Sequence, residues 1–273
     1  MRVAPAILTA GSANSDNRAM TGGKRYGVAV AAALAAGAAS AEPCKLTPIG
    51  SAEVAAVRDG RTLALRDGSE VRLAGIEAPD GAQAAAAKAA LEALATGTLA
   101  LKRLGLEERD RYGRLMAFAY PAGAVVSLQE ALLAQGHARV APRIGDKACA
   151  EALLTSERAA RAAKLGLWAD PNFAPVAADH LAQLAAERGH FALVEGKVVS
   201  VHESGATIYL NFGRRWTEDF SVTIASRLNR TFTAAGLAPK SLEGKRVRVR
   251  GFVEQRNGPV IEAAAPEQIE AAD

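Results

Sequence analysis

Cysteine and histidine are scarce in this sequence, which has two cysteines and four histidines among its 273 residues. Cys44 and Cys149 lie far apart along the chain and lack the spacing of a metal site. The histidines share no ligand spacing either, so each is expected to be a surface or capping residue. The sequence therefore contains no recognisable thiolate or imidazole metal motif.

A large excess of charge of one sign is also lacking once residues 1–41 are set aside. Four of the 33 basic residues and one of the 29 acidic residues lie in that segment, which leaves 29 basic and 28 acidic residues in the remainder. Such a balance gives no argument about the binding partner. Partners must be inferred from particular residues.

The sequence has no long hydrophobic run that resembles a membrane span. The apolar run at residues 26–38 follows Lys24-Arg25, precedes Ala39-Ser40-Ala41, and is shorter than the roughly 20 residues that a spanning helix needs. This layout predicts a signal peptide over residues 1–41, cleaved after Ala41, with Met1 or Met20 as the start. We expect an exported protein, periplasmic or secreted, with no stable membrane span after cleavage; an uncleaved anchor is the alternative.

Export places both cysteines in an oxidising compartment, where disulfides persist. A single Cys44–Cys149 disulfide is the natural hypothesis. The alternative is a pair of unrelated buried cysteines.

Hydrophobic patterns predict two modules after the signal peptide. The first, residues 48–168, combines a β-rich stretch at 52–65, a turn at Asp67-Gly68 and a strand at 71–76 with later helices and strands. The helices are predicted at 82–95, 128–135 and 147–165, and the strands at 99–104 and 115–120.

The second module is predicted at residues 190–268, after a linker and short helix at 169–189. Five apolar runs, at 191–201, 207–212, 220–224, 246–253 and 260–263, surround a helix near 226–235. Five strands with one helix before the fourth suit a small barrel of the oligonucleotide/oligosaccharide-binding (OB) type. The predicted fold class is α+β and mainly β, with two such barrels.

Four segments of the first module, in register over residues 52–168, carry a resemblance to the staphylococcal nuclease (thermonuclease) family. They are Val57-Arg58-Asp59-Gly60-Arg61-Thr62, Val71-Arg72-Leu73-Ala74-Gly75-Ile76-Glu77-Ala78-Pro79-Asp80, Asp110-Arg111-Tyr112-Gly113-Arg114, and Glu157 with Ala160-Arg161 and Gly166-Leu167-Trp168. The resemblance implies a five-stranded barrel with helices and a nuclease that hydrolyses phosphodiesters. In that family a Ca²⁺ ion polarises the phosphate, a glutamate acts on water, and two arginines neutralise developing charge.

The catalytic positions of the family are kept in part. Arg72 and Arg114 match the two arginines, and Asp80 stands at the place of the glutamate with a side chain one methylene shorter. Arg111 and Tyr112 match the basic and base-stacking residues of the substrate site, whereas the second stacking region, near residues 140–143, has no aromatic side chain.

The metal positions depart from the family pattern. Glu77 replaces one aspartate ligand, and Arg61 stands where the family has the other. Exchanging an anion for a cation alters the site by two charges, so a Ca²⁺ site held by Glu77 and Asp59 is doubtful. Arg61 is expected to pair with Glu77 or Asp80, or to join Arg72 and Arg114 in a three-arginine pocket that holds phosphate without metal.

The second module offers a candidate basic face. Arg214-Arg215-Trp216 lie in a loop, and Arg246, Arg248 and Arg250 alternate along a strand next to Lys245. We interpret the strand arginines as a solvated barrel face, with a nucleic-acid surface as the alternative.

Two functions follow from these residues. The first is an exported nuclease that acts on DNA or RNA through Arg72, Asp80 and Arg114, in full or weakened form. The second is a non-catalytic module that binds nucleic acid, an anionic polymer or a protein on the nuclease scaffold.

Overall fold

Five strands close into a barrel in the first half of the computed structural model, which describes residues 44–106 and 109–272. The strand order is β1-β2-β3-β6-β5, and only β3 and β6 run parallel. This half of the chain is called the first barrel, and its five barrel strands are β1 (Leu46–Asp59), β2 (Thr62–Leu65), β3 (Glu70–Leu73), β5 (Thr98–Leu104) and β6 (Leu115–Pro121). Two further short strands, β4 (Ile76–Glu77) and β7 (Arg139–Val140), pair with each other in a separate antiparallel sheet.

Three helices pack on this barrel: α1 (Ala84–Leu94), α2 (Leu128–Ala134) and α3 (Lys147–Ala162). A capping box starts α2, since Ser127 accepts from the Glu130 N–H and the Glu130 carboxylate accepts from Ser127. Asp146 caps α3 by accepting from the Cys149 N–H at 2.8 Å. Each helix contributes a buried leucine, Leu91, Leu132 and Leu153 respectively, to a core that includes Phe118 and Leu63.

The β-rich stretch predicted at residues 52–65 contains parts of two strands, because the chain reverses between β1 and β2. The Asp59 carboxylate accepts from the Arg61 N–H at 2.8 Å and so forms the turn. Gly60 packs closely there: a Cβ at this position would lie 2.8 Å from the Ala87 Cβ. The predicted turn at Asp67-Gly68 is present, and Gly68 has a φ of +84°.

A second sheet follows, with strand order β10-β11-β12-β14-β13-β9-β8. Strand β15 pairs antiparallel with the first half of β13. The pair β12 and β14 is parallel, as is β3 and β6 in the first barrel. Its elements are β8 (Val176–Ala177), α4 (Leu181–Ala186), β9 (Phe191–Lys197), β10 (Ser200–Ser204), β11 (Thr207–Asn211), β12 (Ser221–Ala225), α5 (Asn229–Ala234), β13 (Arg246–Gln255), β14 (Pro259–Glu262) and β15 (Ile269–Ala271).

The two sheets share one arrangement of strands. The consecutive segments β9 and β10 together take the place that the single long strand β1 has in the first barrel. The α+β fold class with an OB-like barrel is therefore confirmed. β8 lies within the range assigned to the linker, and the division of the chain into domains stays a prediction.

The predicted disulfide is present between Cys44 and Cys149, and it ties the start of the described chain to α3. No helix within residues 44–106 and 109–272 has the length and apolar character needed to cross a membrane. The predicted signal peptide lies outside the described residues.

Candidate functional site

The turn between β1 and β2 places Arg61 beside strand β4. Its guanidinium donates to the Ile76 carbonyl oxygen at 3.0 Å and forms an ion pair with the Glu77 carboxylate. Both side chains are largely buried, with exposed fractions of 17% and 14%. Of the arrangements that the sequence left open for Arg61, the pair with Glu77 is the one found. Burial reduces solvent screening, so this pair is stronger than a surface ion pair.

Arg72 lies next to this pair on β3, between β2 and β6. Burial lowers the pKa of Arg72, and the charge of Arg61 lowers it further, whereas Glu77 raises it. Arg114 also lowers the pKa of Arg72, so Arg61 and Arg114 both lie within electrostatic reach of Arg72. Within the described residues, the Arg72 guanidinium makes no hydrogen bond or ion pair. Its charge is therefore available to an anionic ligand.

Arg114 is held by Asp110 in a tight loop before β6. The Asp110 carboxylate accepts from the Arg114 side chain at 2.7 and 2.8 Å and from the Tyr112 and Arg114 N–H groups at 2.9 and 3.0 Å. Burial by itself raises the pKa of Asp110, but these hydrogen bonds hold it below its usual value. Asp110 thus positions Arg114, a role not assigned from the sequence although the residue belongs to the motif.

Tyr112 projects from the same loop with 67% of its surface exposed. The Arg111 and Arg114 guanidinium carbons lie 4.8 and 5.0 Å from its ring centre. An exposed ring flanked by two cations is an arrangement on which a base can stack while a phosphate binds beside it.

The predicted metal ligands do not fit an ordinary Ca²⁺ site. Glu77 is engaged by Arg61, and one carboxylate oxygen of Asp59 holds the turn. Ca²⁺ takes six to eight oxygen ligands, and no group of three or more acidic, histidine or cysteine side chains in the described ranges could hold a metal ion. Asp80 is exposed at the start of a short 3₁₀ turn and makes no hydrogen bond with any described residue.

A cleft of about 440 Å³ adjoins Arg61 and Arg72. Its first wall comes from the first barrel and its second from β13, β14 and the segment after them. The lining includes Arg61, Arg72, Glu77, Pro142 and Arg143 on one side and Phe252, Glu254, Glu262 and Gln268 on the other. The second wall was not predictable from the sequence, because nothing in the local pattern of β13 shows what the strand faces.

The interpretation of the β13 arginines as a solvated face is wrong for Arg250. This side chain is fully buried and donates to Glu157 on α3 through two hydrogen bonds of 2.9 Å. Arg246 and Arg248 both bind the Glu195 carboxylate, at 3.0 and 2.6 Å. The alternation along the strand was predicted correctly, but the first barrel covers part of this face.

A buried ion cluster therefore joins the two halves of the chain. Glu270 on β15 binds Arg250 at 2.5 Å and Arg158 at 2.8 Å, while Arg161 binds Glu157 at 2.9 Å. Burial raises the pKa of Glu270, but the guanidinium groups of Arg250, Arg158 and Arg161 outweigh that effect and lower it to about 2. The cluster fixes α3 against the second sheet.

Comparison with known proteins gives a family match within the first barrel and the helices that pack on it. Residues 70–170 match the family model described as staphylococcal nuclease homologue. Among curated proteins, no match to the sequence was found. The matched range includes Arg72, Glu77, Asp80 and the Asp110–Arg114 loop, while Arg61 lies just before it. The first barrel of this chain thus carries a staphylococcal nuclease-like domain.

Proposed function

We propose that this protein binds nucleic acid, DNA or RNA, at Arg72 and Arg114 and hydrolyses its phosphodiester bonds in a weakened form. The observation that carries the proposal is the arrangement of charge around Arg72. Arg61 forms an ion pair with Glu77, and Arg114 forms one with Asp110. Arg72 has no ionic partner among the described residues. A half-buried guanidinium without a counter-ion favours an anion such as a phosphodiester.

The chemistry then depends on the side chains of the chain itself. Arg72 donates two parallel hydrogen bonds to the phosphate oxygens, and Arg114 adds those N–H groups that Asp110 leaves free. Both charges stabilise the extra negative charge that develops as water attacks phosphorus and the bond from phosphorus to the leaving sugar oxygen breaks, with that oxygen taking its proton from solvent. Asp80 is the proposed base for that water. Its exposure and lack of a holding partner make it poorly fixed, so the reaction is slow.

We also propose that this site works without the Ca²⁺ ion of the family. Arg61 places a positive charge beside Glu77, where a bound cation would need an uncompensated carboxylate. The guanidinium of Arg61 therefore supplies positive charge near the phosphate but offers no open coordination position.

We propose further that the protein is exported. The predicted signal peptide and the Cys44–Cys149 disulfide are consistent with a periplasmic or secreted protein, because such bridges persist in oxidising compartments.

The second candidate is a binding protein without catalysis. It is favoured by Asp80, which lies exposed and makes no hydrogen bond with any described residue. In that case Arg72, Arg114 and Tyr112 bind nucleic acid and no bond is cleaved.

Cleavage of single-stranded DNA and RNA by the purified chain without residues 1–41 tests the proposal. We expect slow cleavage that is equal in Ca²⁺ and in EDTA, and a loss of about 100-fold in Arg114→Ala because a transition-state charge is removed. Arg58→Ala is the control, since Arg58 is an exposed arginine of the same barrel that pairs with Glu70. Binding without any cleavage would select the second candidate, and cleavage that requires Ca²⁺ would overturn the metal argument.

A further inference from the structure

Phe252 is a large apolar side chain that lines the cleft at the catalytic arginines. It lies on β13 of the second sheet, and 46% of its surface is exposed, although its neighbours Gly251 and Val253 are buried. Its ring packs edge-on against Phe191, with 5.7 Å between ring centres and an interplanar angle of 77°. This contact holds the ring in one orientation and leaves part of its surface open to the cleft.

The charges in the cleft divide into paired and unpaired groups. Arg61 binds Glu77, and Arg256 lies 3.2 and 3.4 Å from Glu254 and Glu262. The guanidinium groups of Arg72 and Arg143 have no ionic partner among the residues that the structure describes. The cleft therefore combines two available cations from the first barrel with an exposed aromatic ring from the second sheet.

We infer that the cleft binds one unpaired nucleotide, with its phosphate at Arg72 and Arg143 and its base stacked on Phe252. Guanidinium groups suit phosphate, and an aromatic ring binds any base through its π face. The bases of a duplex are already stacked on both sides, so this arrangement selects single-stranded nucleic acid. The volume of about 440 Å³ lies within the range of small-molecule sites.

The inference gives the second sheet a part in substrate binding. The first barrel has no aromatic residue among residues 140–143 on its own side of the cleft, and Phe252 supplies one from across it. The phosphate half of this argument rests on the proposed function, whereas the stacking half is separate. Phe252 then selects nucleic acid that has an unpaired base, and Arg72 binds the phosphate.

Binding of a fluorescein-labelled oligothymidine in EDTA tests the inference on the chain without residues 1–41. We expect Phe252→Leu, which keeps an apolar side chain against Phe191, to weaken binding about tenfold, and Phe252→Trp to retain it. An abasic oligomer of the same length must bind the unmodified chain and Phe252→Leu equally. Leu165→Ala is the control, since Leu165 is another exposed apolar residue and lies outside the cleft.

The outcomes separate this inference from the proposed function. If Arg72→Ala loses binding while Phe252→Leu keeps it, the stacking role is overturned and phosphate binding stands. If Phe252→Leu weakens oligothymidine but not the abasic oligomer, the inference is supported even where no cleavage occurs. Absence of oligothymidine binding by the unmodified chain, or an equal loss for both oligomers in Phe252→Leu, would also overturn it.

Discussion

Arg72 is a half-buried cation whose pKa is lowered by two further cations, Arg61 and Arg114. Burial and the charge of Arg61 both lower its pKa, so keeping the group charged costs folding free energy. Such a cost is expected at a binding residue, because the ligand supplies the missing negative charge.

Replacing Arg72 by methionine should therefore raise stability while it removes function. We expect Arg72→Met to increase the free energy of unfolding by about 1 kcal/mol, because an apolar side chain of similar length fills the same space without charge. The same variant should lose binding of single-stranded DNA. Urea denaturation and a binding assay measure the two effects.

Arg58→Met is the matched control for that experiment. Arg58 is exposed and pairs with Glu70 at 3.2 Å, so its loss should change neither stability nor binding. A destabilised Arg72→Met variant would mean that Arg72 has a structural partner and that its charge is not held for a ligand.

At the residue scale, the sequence predicts identities better than partners. The motifs give Arg72, Arg114 and Tyr112 as candidate site residues, and in the structure Arg61 and Arg114 both lower the pKa of Arg72. The choice of Glu77 as partner of Arg61 could not be predicted, because Asp80 is close in sequence and equally charged. In the structure the Arg61 guanidinium lies against strand β4, where it contacts the Ile76 carbonyl oxygen and the Glu77 carboxylate.

At the scale of elements, α3, β13 and β15 meet through charged groups. Glu157 is completely buried yet accepts hydrogen bonds from Val140, Arg161 and Arg250. A buried carboxylate with all its partners is stable in place, but removal of one partner leaves an uncompensated charge. This cluster makes the contact between the two sheets sensitive to pH.

Glu270 should give the protein an acid-sensitive stability. Its pKa in the folded state is about 2, below the ordinary value of 4.5. A lowered pKa stabilises the fold fully above pH 4.5, and this contribution, on the order of 3 kcal/mol, is lost as the pH falls from 4.5 towards 2. Urea denaturation between pH 6 and pH 3 measures the loss.

The Glu270→Gln variant should be less stable than the unmodified chain at neutral pH. Its free energy of unfolding should also depend less on pH below pH 4.5. The matched control is Glu151→Gln, because Glu151 also pairs with Arg158 but is exposed. A profile for Glu270→Gln as steep as that of the unmodified chain would show that other carboxylates cause the acid sensitivity.

The elements themselves were largely predictable, and their contacts were not. Periodicity places the strands at 207–212 and 246–253 close to β11 and β13. The same periodicity assigns Arg250 to the polar face, which is true, but it carries no information on what covers that face. Glu157 on α3 covers it, and the two residues are 93 positions apart.

At the scale of the whole molecule, two sheets with one strand order pack around a shared cleft. The buried ion cluster and an apolar cluster that includes Trp168 and Phe191 hold the halves together, and the Cys44–Cys149 bridge ties α3 to the start of the described chain. Because the cleft has one wall from each sheet, the second sheet is a part of the proposed substrate site and not an independent attachment.

We propose that the positive charge of Arg61 takes the place that Ca²⁺ has in the staphylococcal nuclease family. Isothermal titration of the chain without residues 1–41 with Ca²⁺, beside the Arg61→Asp variant, tests it most directly. We expect no stoichiometric binding at micromolar concentrations by the unmodified chain, and a measurable gain in Arg61→Asp because Glu77 is released and a carboxylate is added. Stoichiometric Ca²⁺ binding at micromolar affinity by the unmodified chain would contradict it.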